Sequence, residues 1–149
     1  MLLEEEYYIG VPHLDAQHRA LFKTMDRVKD ILMKDDYERN KRLCKEAIKF
    51  FGDYASRHFS DEEAYMRSIH FANYELHKAQ HDAIKENLLL FEQDIIASDY
   101  SPQSIKHLLG IMMAWLTYHT IEIDSVIGKE IPRIDCSNDA AVALEKAFV

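Results

Sequence analysis

Glycine and proline are scarce in this chain of 149 residues, at four and three. With so few points of sharp turning, the segments between them are long, and they carry apolar residues at helical spacing. An all-α fold follows. Two cysteines, Cys44 and Cys136, are too few for a disulfide framework and are expected as free thiols in a reducing compartment. Positive charge is also short. Eighteen Lys and Arg against 26 Asp and Glu give a net charge of −8, which argues against nucleic acid or an anionic membrane surface as partner. No stretch approaches transmembrane length. The first residues, MLLEEEYY, are acidic where a signal peptide needs positive charge and an apolar run. A cytoplasmic protein with one substantial core is therefore expected. Histidine is the residue in excess, with eight.

The stretch 73–91 places Tyr74, His77, His81, Ile84, Leu88 and Phe91 at steps of three and four, one face of a helix. His77 and His81 then lie in a buried stripe, about 6 Å apart along the axis. Two such imidazoles can ligate a metal, or can each be core histidines satisfied by a carbonyl or a tyrosine. The rest of the chain bears on that choice.

Gly10 and Pro12 keep the N-terminal arm from forming a long helix, and Asp15 is a plausible N-cap for the helix after it. This first helix carries Leu14, His18, Leu21, Met25, Val28 and Leu32 on one stripe. The polar run 34–42 reads as a connection. A second helix, 43–67, carries Ala47, Phe50, Phe51, Tyr54, His58, Glu62 and Tyr65, with Met66 beside them. A carboxylate in such a stripe is expensive unless paired or bound to a metal; at the edge of the face, flanked by Asp61 and Glu63, it would simply be solvated. A turn at 68–72 leads to the third helix, which ends near Ile96. Ser101 and Pro102 read as N-cap and first position of the fourth, with Ile105, Leu108, Leu109, Met112, Trp115, Leu116, His119 and Ile123 before Gly128 and Pro132 stop it. Four helices with short connections describe an up-down-up-down antiparallel bundle with an N-terminal arm. Residues 1–134 form its domain, and 135–149 a tail in which AAVALEKAFV reads as a short helix.

Every helix thus places histidine in its core stripe. All charged, these rings would repel; all neutral, each ring nitrogen would need a partner. A cluster of metal ions answers both demands, and imidazole with carboxylate suits iron, manganese or zinc. His13, His70 and His107 fall in turns or helix starts and read as surface residues, and Cys44 as a small buried apolar one.

The pattern Gly10-Val11-Pro12-His13-Leu14-Asp15-Ala16-Gln17-His18, then His58-x-x-x-Glu62, His77-x-x-x-His81 and Trp115-Leu116-x-x-His119-x-x-x-x-Asp124, resembles bacterial hemerythrin from about Tyr7 to Asp124. The resemblance implies two iron ions with an oxo or hydroxo bridge, and dioxygen as ligand. His77, His81 and His119 would hold one iron, His18 and His58 the other, and Glu62 and Asp124 would bridge them. That set leaves one position of two octahedral irons open, on the iron with two histidines. Helical geometry by itself favours Glu122 over Asp124, because an i+5 step turns about 140° round an α-helix and an i+3 step comes within about 60°. The family spacing selects Asp124. Trp115 and Leu116 match family pocket positions, and Phe59 and Ile84 are further candidates for the lining. Two positions depart from the usual pattern. Leu3 replaces a common Trp. Thr120 replaces an aliphatic, where its hydroxyl either changes pocket polarity or bonds back to the helix.

The expected function is reversible dioxygen binding for storage, delivery or sensing, without catalytic turnover. A di-iron enzyme (oxidase, peroxidase or nitric-oxide handling) is the alternative. Ferritin-like di-iron oxidases use paired Glu-x-x-His motifs, which this chain lacks. A signalling input module acting through the C-terminal tail is the third reading.

Overall fold

The computed structural model describes residues 5–129. The expected tail helix, the domain limit at 134, Leu3 and Cys136 lie outside the described residues. A short 3-10 turn, Glu5–Tyr7, begins the arm, and four long helices follow: α1 Pro12–Leu32, α2 Tyr37–Ser68, α3 Tyr74–Ala97 and α4 Pro102–Tyr118. A π-helical turn, His119–Asp124, and a last short helix, α5 Ser125–Lys129, continue α4. Consecutive helices pack on one another and α1 packs on α4, closing an all-α up-down-up-down bundle.

Local chemistry explains most of the boundaries. Pro12 occupies the first turn of α1, where a missing N–H costs nothing. Asp15, expected as the cap of that helix, lies inside it instead. Its carboxylate turns back and accepts from the Ile9 and Gly10 amides at 2.7 and 3.0 Å, tying the arm to α1. Gly10 has φ +90°, a conformation open to glycine because it has no Cβ. The polar run 34–42 is a connection only at its start. Asp36 caps α2 by accepting from the Arg39 amide at 3.1 Å, so α2 begins two turns earlier than expected. Ser101 caps α4 by accepting from the Ser104 amide at 3.2 Å, with Pro102 at the first position as expected. Gly128 does not stop the last helix. It lies within α5 and lets the helix press against the backbone of Ile9, where any Cβ would overlap the Ile9 carbonyl oxygen.

Two apolar clusters fill the bundle. One gathers Leu21, Met25, Val28 and Leu32 with Cys44, Phe51, Ile95 and the α4 leucines. The other gathers Ile9, Val11 and Leu14 with Tyr65, Met66, Phe71 and Ile127. Along α1, His18 falls between Leu14 of the second cluster and Leu21 of the first; along α2, His58 and Glu62 fall between Phe51 and Tyr65. The polar residues therefore form a layer across the bundle with apolar packing on both sides. Phe50, expected in the stripe, is 44% exposed and stacks on Tyr54 instead.

Candidate metal centre

Five histidines and two carboxylates converge in that layer. His18, His58, Glu62, His77, His81, His119 and Asp124 are all buried. The π turn makes this set possible on the last helix. Its i→i+5 closure puts His119 and Asp124 on one face, and Glu122 points to solvent.

The contacts divide the set in two. Glu62 Oε1 lies 2.9 Å from His77 Nε2 and 3.1 Å from His81 Nε2. Asp124 Oδ1 lies 2.9 Å from His119 Nε2 and 3.0 Å from His77 Nε2. The second oxygens face the other way: Glu62 Oε2 lies 3.3 Å from His58 Nε2 and 3.5 Å from His18 Nε2. Asp124 Oδ2 lies 3.0 Å from His18 Nε2. Each carboxylate thus gives one oxygen to the group His77, His81 and His119 and the other to the pair His18 and His58. Two groups with ligand spacing result, sharing Glu62 and Asp124.

Charge and alignment both fit bound cations. Burial favours the neutral form of His18, yet Asp124 and Glu62 outweigh it and raise the ring's pKa to about 10. His77 is pushed up to about 9 against the same opposition from burial, again by Asp124 and Glu62. Burial works to raise Glu62, but His18, His58, His77 and His81 hold it well below the usual carboxylate range. Burial and the Glu62 charge likewise work to raise Asp124, and His119 and His18 hold it low. In this field a positive charge between the groups is strongly favoured. Among the described residues, Glu62 Oε2, both Asp124 oxygens and His18 Nε2 lack a hydrogen bond of proper alignment, close as they are. The Nε2 atoms of His81 and His119 face each other at 3.1 Å, where only one can carry a proton. Atoms arranged this way converge on a third centre rather than donor facing acceptor, which suits metal ions shared between them.

Periodicity does not reveal two supporting residues. His81 Nδ1 donates to Glu63 Oε1 at 2.9 Å, and His58 Nδ1 donates to Gln17 Oε1 at 2.7 Å. Each bond turns the unprotonated Nε2 inward. Gln17 is itself held by donating to Asp61 Oδ2 at 2.8 Å. The readable signal was chemical: an imidazole that ligates through Nε2 needs an acceptor at Nδ1.

A cavity of about 50 Å³ adjoins the layer. Its wall includes His18 and His58 but neither His77 nor His81. Phe59, Ile84, Trp115 and Leu116, the expected lining, all border it. Trp115 stacks on His119 with ring centroids 4.4 Å apart, and Phe59 on His81 at 4.0 Å. The wall also contains Leu21, Met25 and Phe51, which were not anticipated there, and Thr120, whose hydroxyl was weighed from the sequence as a pocket group or as a bond back to the helix. His13, His70 and His107 are exposed, as expected, and Cys44 is buried, its thiol pushed up to about 11 by burial.

Residues 9–131 match the family model described as the Hemerythrin HHE cation binding domain. The chain is 28% identical over 122 residues to a bacteriohemerythrin of Clostridium acetobutylicum, covering 81% of this chain and 93% of that protein. It is 27% identical over 126 residues to a bacteriohemerythrin of Aquifex aeolicus, covering 83% and 91%.

Proposed function

The chain belongs to the hemerythrin family, and from that premise we propose that it binds dioxygen reversibly at a di-iron centre, for storage, delivery or sensing. His77, His81 and His119 would hold one iron and His18 and His58 the other, with Glu62 and Asp124 shared between the two groups. One observation carries this reading: each carboxylate divides its oxygens between the two histidine groups. Iron, when bound, would supply the reversible redox chemistry that dioxygen binding needs.

The protein's own residues do the rest. Glu63 and Gln17 fix the rings of His81 and His58 before any metal arrives, so little ordering is left to binding. The cavity on the His18 and His58 side has a largely apolar wall that disfavours resident water. Apart from the proposed ligands, its wall carries no acid or base among the described residues. That favours a site that holds and releases over one that turns a substrate over.

The test is to load the protein with iron, reduce it without oxygen, admit air and follow the visible spectrum. The expected result is two irons per chain and an absorption band that rises with air and fades under vacuum. Prompt loss of the band with substrate-dependent turnover would establish the enzyme instead. Fewer than two irons per chain would overturn the reading altogether.

A further inference from the structure

Thr120 follows His119 within the π turn, and its side chain is 1% exposed. Its Oγ1 has no hydrogen-bond partner among the described residues. A helical threonine ordinarily returns its proton to the carbonyl one turn back. Ser125 does this immediately after the π turn, donating to the Ile121 carbonyl at 2.5 Å. A buried hydroxyl without a partner is costly, so the orientation of Thr120 calls for another acceptor.

The cavity provides the place for one. Among the described residues, Thr120 is the one hydroxyl-bearing residue on a wall whose ionisable members are His18, His58, His119 and Asp124. At about 50 Å³ the space suits a molecule of two or three heavy atoms. A resident water needs two to four polar partners, and a wall this largely apolar disfavours one. We propose that Thr120 is a specificity-determining residue of this cavity, donating a hydrogen bond to the small ligand seated there. The cavity thereby favours an anionic or strongly accepting ligand over a neutral apolar one of the same size. Donation to an anion is about twice as strong as donation to a neutral acceptor, so the preference grows with the charge on the ligand. This deepens the proposed function and rests on it for the ligand's position beside His18 and His58.

Azide is the probe, and Thr120→Val and Thr120→Ser are the variants. Val keeps the branched shape and removes the hydroxyl, whereas Ser keeps the hydroxyl. Each protein is assayed for iron, then titrated with azide in the oxidised, iron-loaded form by visible absorbance; the metal-free forms are melted in parallel. The expected result is two irons in all three proteins. Azide affinity should fall roughly ten- to a hundredfold in Thr120→Val and stay near wild type in Thr120→Ser. Metal-free Thr120→Val should melt at or above the wild-type temperature, because no internal bond is lost. Equal azide affinity in wild type and Thr120→Val, each with two irons, overturns the inference and leaves the proposed function standing. So does a lower melting temperature for metal-free Thr120→Val that Ser restores, since the hydroxyl would then be serving the backbone. Wild-type protein without iron overturns the proposed function, and this reading of Thr120 with it.

Discussion

His119 Nε2 lies 2.9 Å from Asp124 Oδ1 although the two residues are five apart in the chain. In an α-helix they would point about 140° away from each other. The π turn His119–Asp124 removes that divergence and exposes Glu122, the residue an unbroken α-helix would have turned inward. π turns of this kind are uncommon and concentrate at functional sites.

Asp124→Ala is accordingly expected to lose most bound iron, whereas Glu122→Ala keeps two irons per chain. Metal analysis of the two purified variants decides between the positions. Iron retained by the first and lost by the second would reverse the assignment.

Glu63 acts through His81. Glu63→Leu, which removes the acceptor, should leave helicity unchanged and weaken iron binding by about 10- to 100-fold, the usual effect of losing a partner of a ligand histidine. Competition with a chelator, read against wild type, gives the number. An unchanged affinity would reduce the Glu63–His81 bond to packing.

Gly128 is the point where α5 presses on the arm. Gly128→Ala forces a Cβ into the Ile9 carbonyl oxygen, so the backbone must shift at a cost of about 1–3 kcal/mol. A lower melting temperature for this variant checks the contact, and Gly110→Ala, where a Cβ meets open space, is the control.

The metal-free protein should show a stability optimum bounded on both sides. His18 and His77, raised from 6.5 to about 10 and about 9, contribute fully below about pH 6.5 and lose that contribution as pH rises through 9 to 10. Glu62 and Asp124 are lowered, so their contribution is present above about pH 4 and is lost as pH falls. Melting temperatures of the metal-free protein across pH 3 to 11 test this. In the iron-loaded form the ligating Nε2 atoms would carry no proton to lose, and the alkaline decline should shrink.

Sequence periodicity revealed the four helices and gathered the polar residues of the layer except Asp124, because burial repeats every three to four positions. It missed what departs from that repeat. The start of α2 at Tyr37 reads as polar because its first turns hold the exposed Tyr37, Glu38 and Arg42, and only the Asp36 cap marks the boundary. Glu63 sits beside Glu62, about 100° further round the helix, so a stripe containing one excludes the other; yet both are buried because each meets a different face of α3's histidines. The π turn is invisible to any reading at 3.6 residues per turn. Asp124 was reached through family spacing, against helical geometry.

The π turn also changes what the last helix can lose. His58 and Glu62, like His77 and His81, are paired in ordinary α-helix at a spacing of four. His119 and Asp124 are such a pair with one residue inserted. A deletion elsewhere in α4 rotates everything beyond it by about 100° and pulls the ligands off the layer. A deletion of Ile121 or Glu122 instead lets the turn relax into α register, with the carboxylate still beside His119 and α5 still in phase. In a library of single-residue deletions across 105–127, chains that fold and hold metal should therefore cluster inside this one turn.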